Sequence, residues 1–386
     1  MRWTVHLEGG PRRVNHAAVC IREKIYSFGG YCSTDDYKDW EAIPVHVLNT
    51  NTLRWSPVVY KRSDLIPFQR YGHSTVAYGE KVYMWGGRNN AVACDTLSVF
   101  DTEKLEWSNP KVTGMIPHAK DGHSACIIKN KMYLFGGFEY LTDMYSHEVH
   151  CLDLDTMTWT FLRPSGTPPS HRDFHTAVAF DDRMYIFGGR GDLNSPYNSH
   201  EEIYCPQVYY LDTTKNEWVT CNASGTWPEG RRSHSAWVHG DYMYIFGGFN
   251  GNIKTHFNDV YRYSITKNFW EHVPVTGMEP CKRRRQACLL YNDKVYMFGG
   301  TSPCSCARPV NPVTRTPENT EEGETEILVD NSDLHVLDYN PSLKMLCLMC
   351  VLQHKLNTTG LPWNIKMDIL VMTAPNHITR PVNQSG

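Results

Sequence analysis

Apolar and polar residues alternate along this chain in short runs broken by glycine and polar clusters, the period-two pattern of β-strands. Six of these runs end in the same way: YSFGG (26–30), YMWGG (83–87), YLFGG (133–137), YIFGG (185–189), YIFGG (244–248) and YMFGG (296–300). Successive double glycines lie 57, 50, 52, 59 and 52 residues apart. Thirteen residues before each pair stand His16, His73, His123, His175, His234 and, in the sixth copy, Gln286. A tryptophan follows in five copies, at Trp55, Trp107, Trp159, Trp218 and Trp270. Each copy therefore predicts four strands. One starts at the histidine, one ends at Gly-Gly where positive φ turns the chain outward, one runs through segments such as Val99-Phe100-Asp101, and one starts at the tryptophan.

One such sheet cannot bury both its faces, but six packed radially can, so the expected fold is all-β, a six-bladed β-propeller. The sixth copy carries Leu346 near the expected tryptophan position, while Trp3 stands 13 residues before His16. Residues 3–6 are thus expected to form the outer strand of the last blade and close the ring. A repeat of this period, with Gly-Gly and a downstream tryptophan, resembles the kelch repeat. The propeller is expected over 1–339 and an appended segment over 340–386. Residues 301–331, with four prolines and Glu318, Glu321, Glu322, Glu324 and Glu326, read as a mobile loop able to drape over one face.

The loops before each histidine and after each Gly-Gly should emerge on one face of the disc. Three residues before the histidine (or Gln286) the chain is always basic: Arg13, Arg70, Lys120, Arg172, Arg231 and Arg283. Two residues before it stand Val14, Tyr71, Asp121, Asp173, Arg232 and Arg284, and after Gly-Gly come Tyr31, Arg88, Phe138, Arg190, Phe249 and Thr301. Asp121 and Asp173 on one side, with Arg190, Arg231, Arg232 and Arg284 on the other, predict a pocket of two signs. It suits a ligand with a carboxylate beside a cation, because an arginine fork binds a carboxylate through two charge-assisted hydrogen bonds. The alternative is that these charges pair with one another. The ring histidines recur once per blade, too far apart for a common metal, and are expected to be structural.

Lys and Arg total 38 against 41 Asp and Glu, a net charge of −3, which argues against direct nucleic-acid or anionic-membrane binding. Aromatics at 12%, with 28 Gly and 22 Pro, fit an all-β chain. No secretory-type apolar run opens the sequence and the 13 cysteines lack a disulfide framework, so a reduced, cytoplasmic or nuclear setting is expected. No cofactor, metal or enzymatic motif is expected.

Beyond Ser332–Asp338 the pattern turns helical, with Leu343, Leu346, Cys347, Cys350 and Val351 on one stripe, Asn340 as the expected cap and Pro341 in the first turn. Ser342–Val351 resembles an elongin-binding box, and Leu361-Pro362-Trp363-Asn364-Ile365 resembles a cullin-2 box. Together they resemble the von Hippel-Lindau-type box of kelch-repeat substrate receptors of cullin-2 RING ubiquitin ligases. This resemblance implies a non-catalytic adaptor with elongin B/C, cullin-2 and a RING-box protein as partners. Elongin would meet Leu343, Leu346, Cys347, Cys350 and Val351, and cullin would meet Leu361, Pro362, Trp363 and Ile365. It further implies recognition of C-terminal degrons ending in Gly preceded by Arg, Lys or Gln, and their delivery to the proteasome. Arg190, Arg232 and Ser233 match positions that hold the terminal carboxylate. A second arginine is absent after Arg190, so Arg231, Arg232 or Arg284 would substitute, and Asp121 and Asp173 would read the base, with Tyr71 and Arg88 beside them. The chain's own Gly386 terminus suggests a self-ligand. The alternative is a kelch scaffold for cytoskeletal or chromatin partners, including a meiotic role.

Overall fold

The computed structural model describes residues 1–33, 37–304 and 327–378. Six sheets form six blades of four antiparallel strands, in blades one to five in chain order from the axis outward, as in blade three: Ser124–Ile128, Lys131–Phe135, Val149–Asp153 and Thr158–Leu162. The innermost strands touch in a closed cycle, blade one against blade six included. Blade six takes its outer strand from the N-terminus: Arg2–Leu7 runs antiparallel to Leu334–Asp338, and Thr276–Gly277 adds a short parallel edge.

The repeated tryptophan and the aromatic before Gly-Gly have one joint purpose. Each tryptophan packs on that aromatic of the preceding blade: Trp107 on Phe28 (5.9 Å), Trp159 on Trp85 (5.0 Å), Trp218 on Phe135 (5.2 Å), Trp270 on Phe187 (5.1 Å) and Trp55 on Phe298 (4.8 Å). Trp3 completes the series on Phe246 at 5.7 Å. Six apolar clusters accordingly lie between neighbouring blades, so burial welds blade to blade.

The expected loop over 301–331 is shorter than its sequence suggests, because its ends are paired: Thr301–Pro303 prolong a strand that pairs with Leu328–Asp330. The acidic run Glu318–Glu326 and the Gly386 terminus lie outside the described residues. Two helices follow the propeller, α1 (Leu343–Gln353) and α2 (Trp363–Thr373). Ser342, not Asn340, caps α1, its hydroxyl accepting from the Met345 N–H at 3.2 Å. Leu348 and Met349 of α1 and Met372 of α2 are buried in the cluster between blades one and six. Asn376 stitches the end down, its side-chain oxygen accepting from the Trp55 N–H at 2.9 Å.

Candidate functional site

The mouth of the central channel is built from backbone rings before any side chain is placed. The second glycine of each blade donates its N–H to the carbonyl of the basic residue opening the next: Gly30 to Arg70, Gly87 to Lys120, Gly137 to Arg172, Gly189 to Arg231, Gly248 to Arg283, and Gly300 back to Arg13. The side chains of these basic residues are structural too. The Arg70, Arg172, Arg231 and Arg283 guanidiniums donate to the carbonyl of the first glycine in their own blade. The residues just before the histidines, Asn15, Gly72, Gly122, Phe174, Ser233 and Arg285, all have φ between +48° and +69°. Their amides hand on a second chain of hydrogen bonds around the axis, Gly72 to Asn15, Gly122 to Gly72, Phe174 to Gly122, Ser233 to Phe174 and Arg285 to Ser233.

Register then sets the side chains. In every blade the residue two before the histidine bridges the one after Gly-Gly: Val14 with Tyr31, Tyr71 with Arg88, Asp121 with Phe138, Asp173 with Arg190, Arg232 with Phe249 and Arg284 with Thr301. Members of the first five of these pairs line a cavity of about 620 Å³. Of the residues expected to bind ligand, Tyr71, Arg88, Asp121, Asp173, Arg190, Arg232 and Ser233 line it.

Arg231 and Arg284 do not. Arg231 is buried beneath the rim, paired with Asp259 at 2.5 Å and lying 3.9 Å over the Phe257 ring. Arg284 lies buried over Phe249 at 4.6 Å. Their place is taken by Arg285, which lines the cavity and donates to the Tyr31 hydroxyl at 2.8 Å. The positive φ just before Gln286 turns Arg285 inward, and reading the residue ahead of the histidine as a third ring would have found it.

The two signs are interleaved, not segregated as the ring order suggests. Arg190 makes a two-point bond to Asp173 (3.1 and 2.5 Å), its own cross-strand neighbour, and Arg88 lies 3.5 Å from Asp121. Arg190 and Arg232, from successive blades, converge on one oxygen of Glu202 at 3.2 and 2.6 Å, while the Tyr204 hydroxyl donates to the other. Burial raises the Asp121 carboxyl to about 7, with Arg88 opposing the shift. The arginines around Glu202 overcome its burial and lower its carboxyl. Asp143 also lines the cavity, is exposed, and has Asn198 as its hydrogen-bond neighbour at 3.4 Å with no ion pair among the described residues. Glu202, on the two-residue strand Glu202–Ile203, and Asp143, in a turn, both lie in the segment between Gly-Gly and the third strand, whose length varies from blade to blade so that the repeat register carries no signal.

On the rim, α1 is held by one face and open on the other. Leu343 is 77% exposed, and Leu346, Cys347 and Cys350 are exposed beside it, whereas Val351 is half-buried. Cys347 and Cys350 also stand at a Cys-x-x-Cys spacing on this open face. On α2 Trp363 is 75% exposed and Pro362 before it is exposed, but Leu361 is half-buried and Ile365 packs against the propeller.

Residues 72–300 match the KLHDC2/KLHL20/DRC7 Kelch-repeats domain family, and residues 12–59 match the Kelch motif. The chain is similar over its full length to kelch domain-containing protein 3 of Rattus norvegicus and of Homo sapiens, each 44% identical with 99% of the relative covered. Kelch domain-containing protein 2 of Bos taurus is 26% identical over 75% of this chain and 75% of its own.

Proposed function

Because this chain belongs to the kelch domain-containing protein 3 family, we propose that it is the substrate-recognition subunit of a cullin-2 RING ubiquitin ligase, a non-catalytic adaptor that binds proteins by a Gly-ended C-terminus. The observation that carries this reading is α1: a helix anchored on the propeller by Leu348 and Met349 that turns Leu343, Leu346, Cys347 and Cys350 to solvent. A helix that existed only to cover the rim would not hold a second apolar stripe away from it. Elongin C would take that stripe, and cullin-2 would take Pro362 and Trp363.

At the channel mouth, Arg190 and Arg232 already meet on one carboxylate oxygen, that of Glu202, which supports a seat for a terminal carboxylate. The ligand would have to compete with Asp173 and Glu202 for these guanidiniums. A basic residue ahead of the terminal glycine would meet Asp143, the lining carboxylate that has no ion pair, or draw Asp121 from Arg88.

The test is co-purification of the full chain with elongin B/C and cullin-2, set against a Leu343→Ser, Cys347→Ser variant. Both side chains are exposed, so the variant is expected to fold. Stoichiometric capture by the native chain and none by the variant is expected; failure of the native chain to capture either partner overturns the reading.

A further inference from the structure

The seam that closes the ring carries a cluster of side chains that neither the channel mouth nor the helical tail uses. His6 of the N-terminal strand and His335 of blade six are cross-strand partners, and their rings stack with centroids 4.4 Å apart. The Nε2 atom of His335 lies 3.0 Å from Asp333 Oδ2, and that of His6 lies 3.9 Å from the same oxygen. Glu8 brings Oε1 to 2.9 Å from His6 Nε2. We infer that His6, Asp333 and His335, whose donor atoms all lie within 4.8 Å of one another, form a binding site for a zinc-type dication that clasps the two ends of the propeller together, the exposed Glu8 carboxylate swinging in from His6 as the fourth donor.

Blade geometry explains part of this cluster without a metal. Asp333 pairs with Arg283 through both oxygens at 2.7 Å, just as Asp259 pairs with Arg231 in blade five. The same cross-strand position brings His150 against Phe161 in blade three, tilted, and Tyr261 against His272 in blade five, edge to face, both at 5.1 Å. What blade six adds is an imidazole on both strands, which no other blade has. A stack needs one aromatic pair of any kind. Two imidazoles with both Nε2 atoms within 4 Å of one carboxylate oxygen form a ligand set once the rings tilt off their stack, because each Nε2 lone pair lies in its own ring plane.

The spacing agrees with that chemistry. Zinc holds nitrogen and oxygen donors at about 2.0–2.1 Å in a tetrahedron, which puts donor atoms roughly 3.3 Å apart. The Asp333 oxygen lies 3.0 and 3.9 Å from the two imidazole nitrogens, on either side of that edge, and all three donors fall within 4.8 Å of one another, close enough to converge by small side-chain rotations. Asp333 Oδ2 can bridge, because a carboxylate oxygen has two lone pairs and Arg283 takes one. Two carboxylates against the single Arg283 leave the site with net negative charge. Paired imidazoles select zinc and its neighbours over magnesium or calcium, which prefer all-oxygen shells.

Untagged full-length protein, stripped with a chelator, would be titrated with zinc by calorimetry and with cobalt(II) by visible absorption. One site per chain is expected, with a tetrahedral cobalt spectrum and a higher melting temperature when zinc is bound. His6→Phe rebuilds the phenyl–imidazole contact of blade three, so it should keep the metal-free melting temperature and lose the site. Glu8→Gln, at an exposed side chain, should weaken zinc several-fold with the fold untouched; it keeps the test decisive if His6→Phe fails to fold. The inference is overturned if native protein takes up no zinc at micromolar concentration, or if the variants bind as tightly as the native chain, which would assign the metal to scattered surface histidines.

Discussion

Trp3→Ala tests whether the N-terminal strand is part of the cooperative ring. Trp3 is 1% exposed and packs edge-on against Phe246 at 5.7 Å and His335 at 5.9 Å. A buried aromatic of this kind removes about 150–250 Å² from water, worth roughly 4–6 kcal/mol at about 25 cal/mol per Å². Measured aromatic-to-alanine truncations in cores cost about 3–5 kcal/mol, since part of the cavity relaxes. A loss of about 4 kcal/mol is therefore expected. The same strand is the outer strand of blade six, so the lost packing falls on ring closure itself. Urea unfolding followed by far-UV circular dichroism would measure it, with a melting temperature lower by roughly 5 °C as a second reading for a unit of this size. Trp40→Ala is the control, because Trp40 is 69% exposed and should cost no more than about 0.5 kcal/mol. If Trp3→Ala lies within about 1 kcal/mol of the parent, closure by this strand does not hold the propeller together and the reasoning fails.

Three further outcomes are expected. Asp121, raised to about 7 by burial in the folded state, favours folding most when protonated, so its contribution is present below pH 4 and is lost as pH rises through 7. Asp121→Asn should flatten a fall of on the order of 3–4 kcal/mol across that window, seen in unfolding curves at several pH values; an unchanged slope refutes the assignment. Arg231→Ala should destabilise by about 3–5 kcal/mol because it leaves Asp259 and the Gly247 carbonyl without their partner, whereas Arg232→Ala should cost far less stability and abolish binding of Gly-ended peptides measured by fluorescence anisotropy. Leu348→Ala should cost about 2–3 kcal/mol and loosen α1 in hydrogen exchange, while Leu343→Ala should leave stability unchanged and act on partner capture alone.

Much of the fold was legible because its determinants are periodic. Gly-Gly, the aromatic before it and the tryptophan recur in each copy, since each blade must turn its second strand and cover the face of its neighbour; even the absent sixth tryptophan pointed to Trp3. The channel mouth was legible only as rings of candidates. Sequence placed Asp173 and Arg190 in separate rings, but cross-strand register makes them one ion pair. It offered Arg231, Arg232 and Arg284 as the carboxylate's partners, yet Arg285, left-handed ahead of Gln286, is the one that lines the cavity, while burial locks Arg231 and Arg284 into structural contacts. The spacing of α1 gave one stripe of Leu343, Leu346, Cys347, Cys350 and Val351 but not which side faces the propeller, and Val351 turns out half-buried. That was decided by the apolar cleft between blades one and six, which takes Leu348 and Met349 and leaves the stripe outside. Repeats record what every blade must do, whereas direction, pairing and access depend on neighbours that come together only when the ring closes.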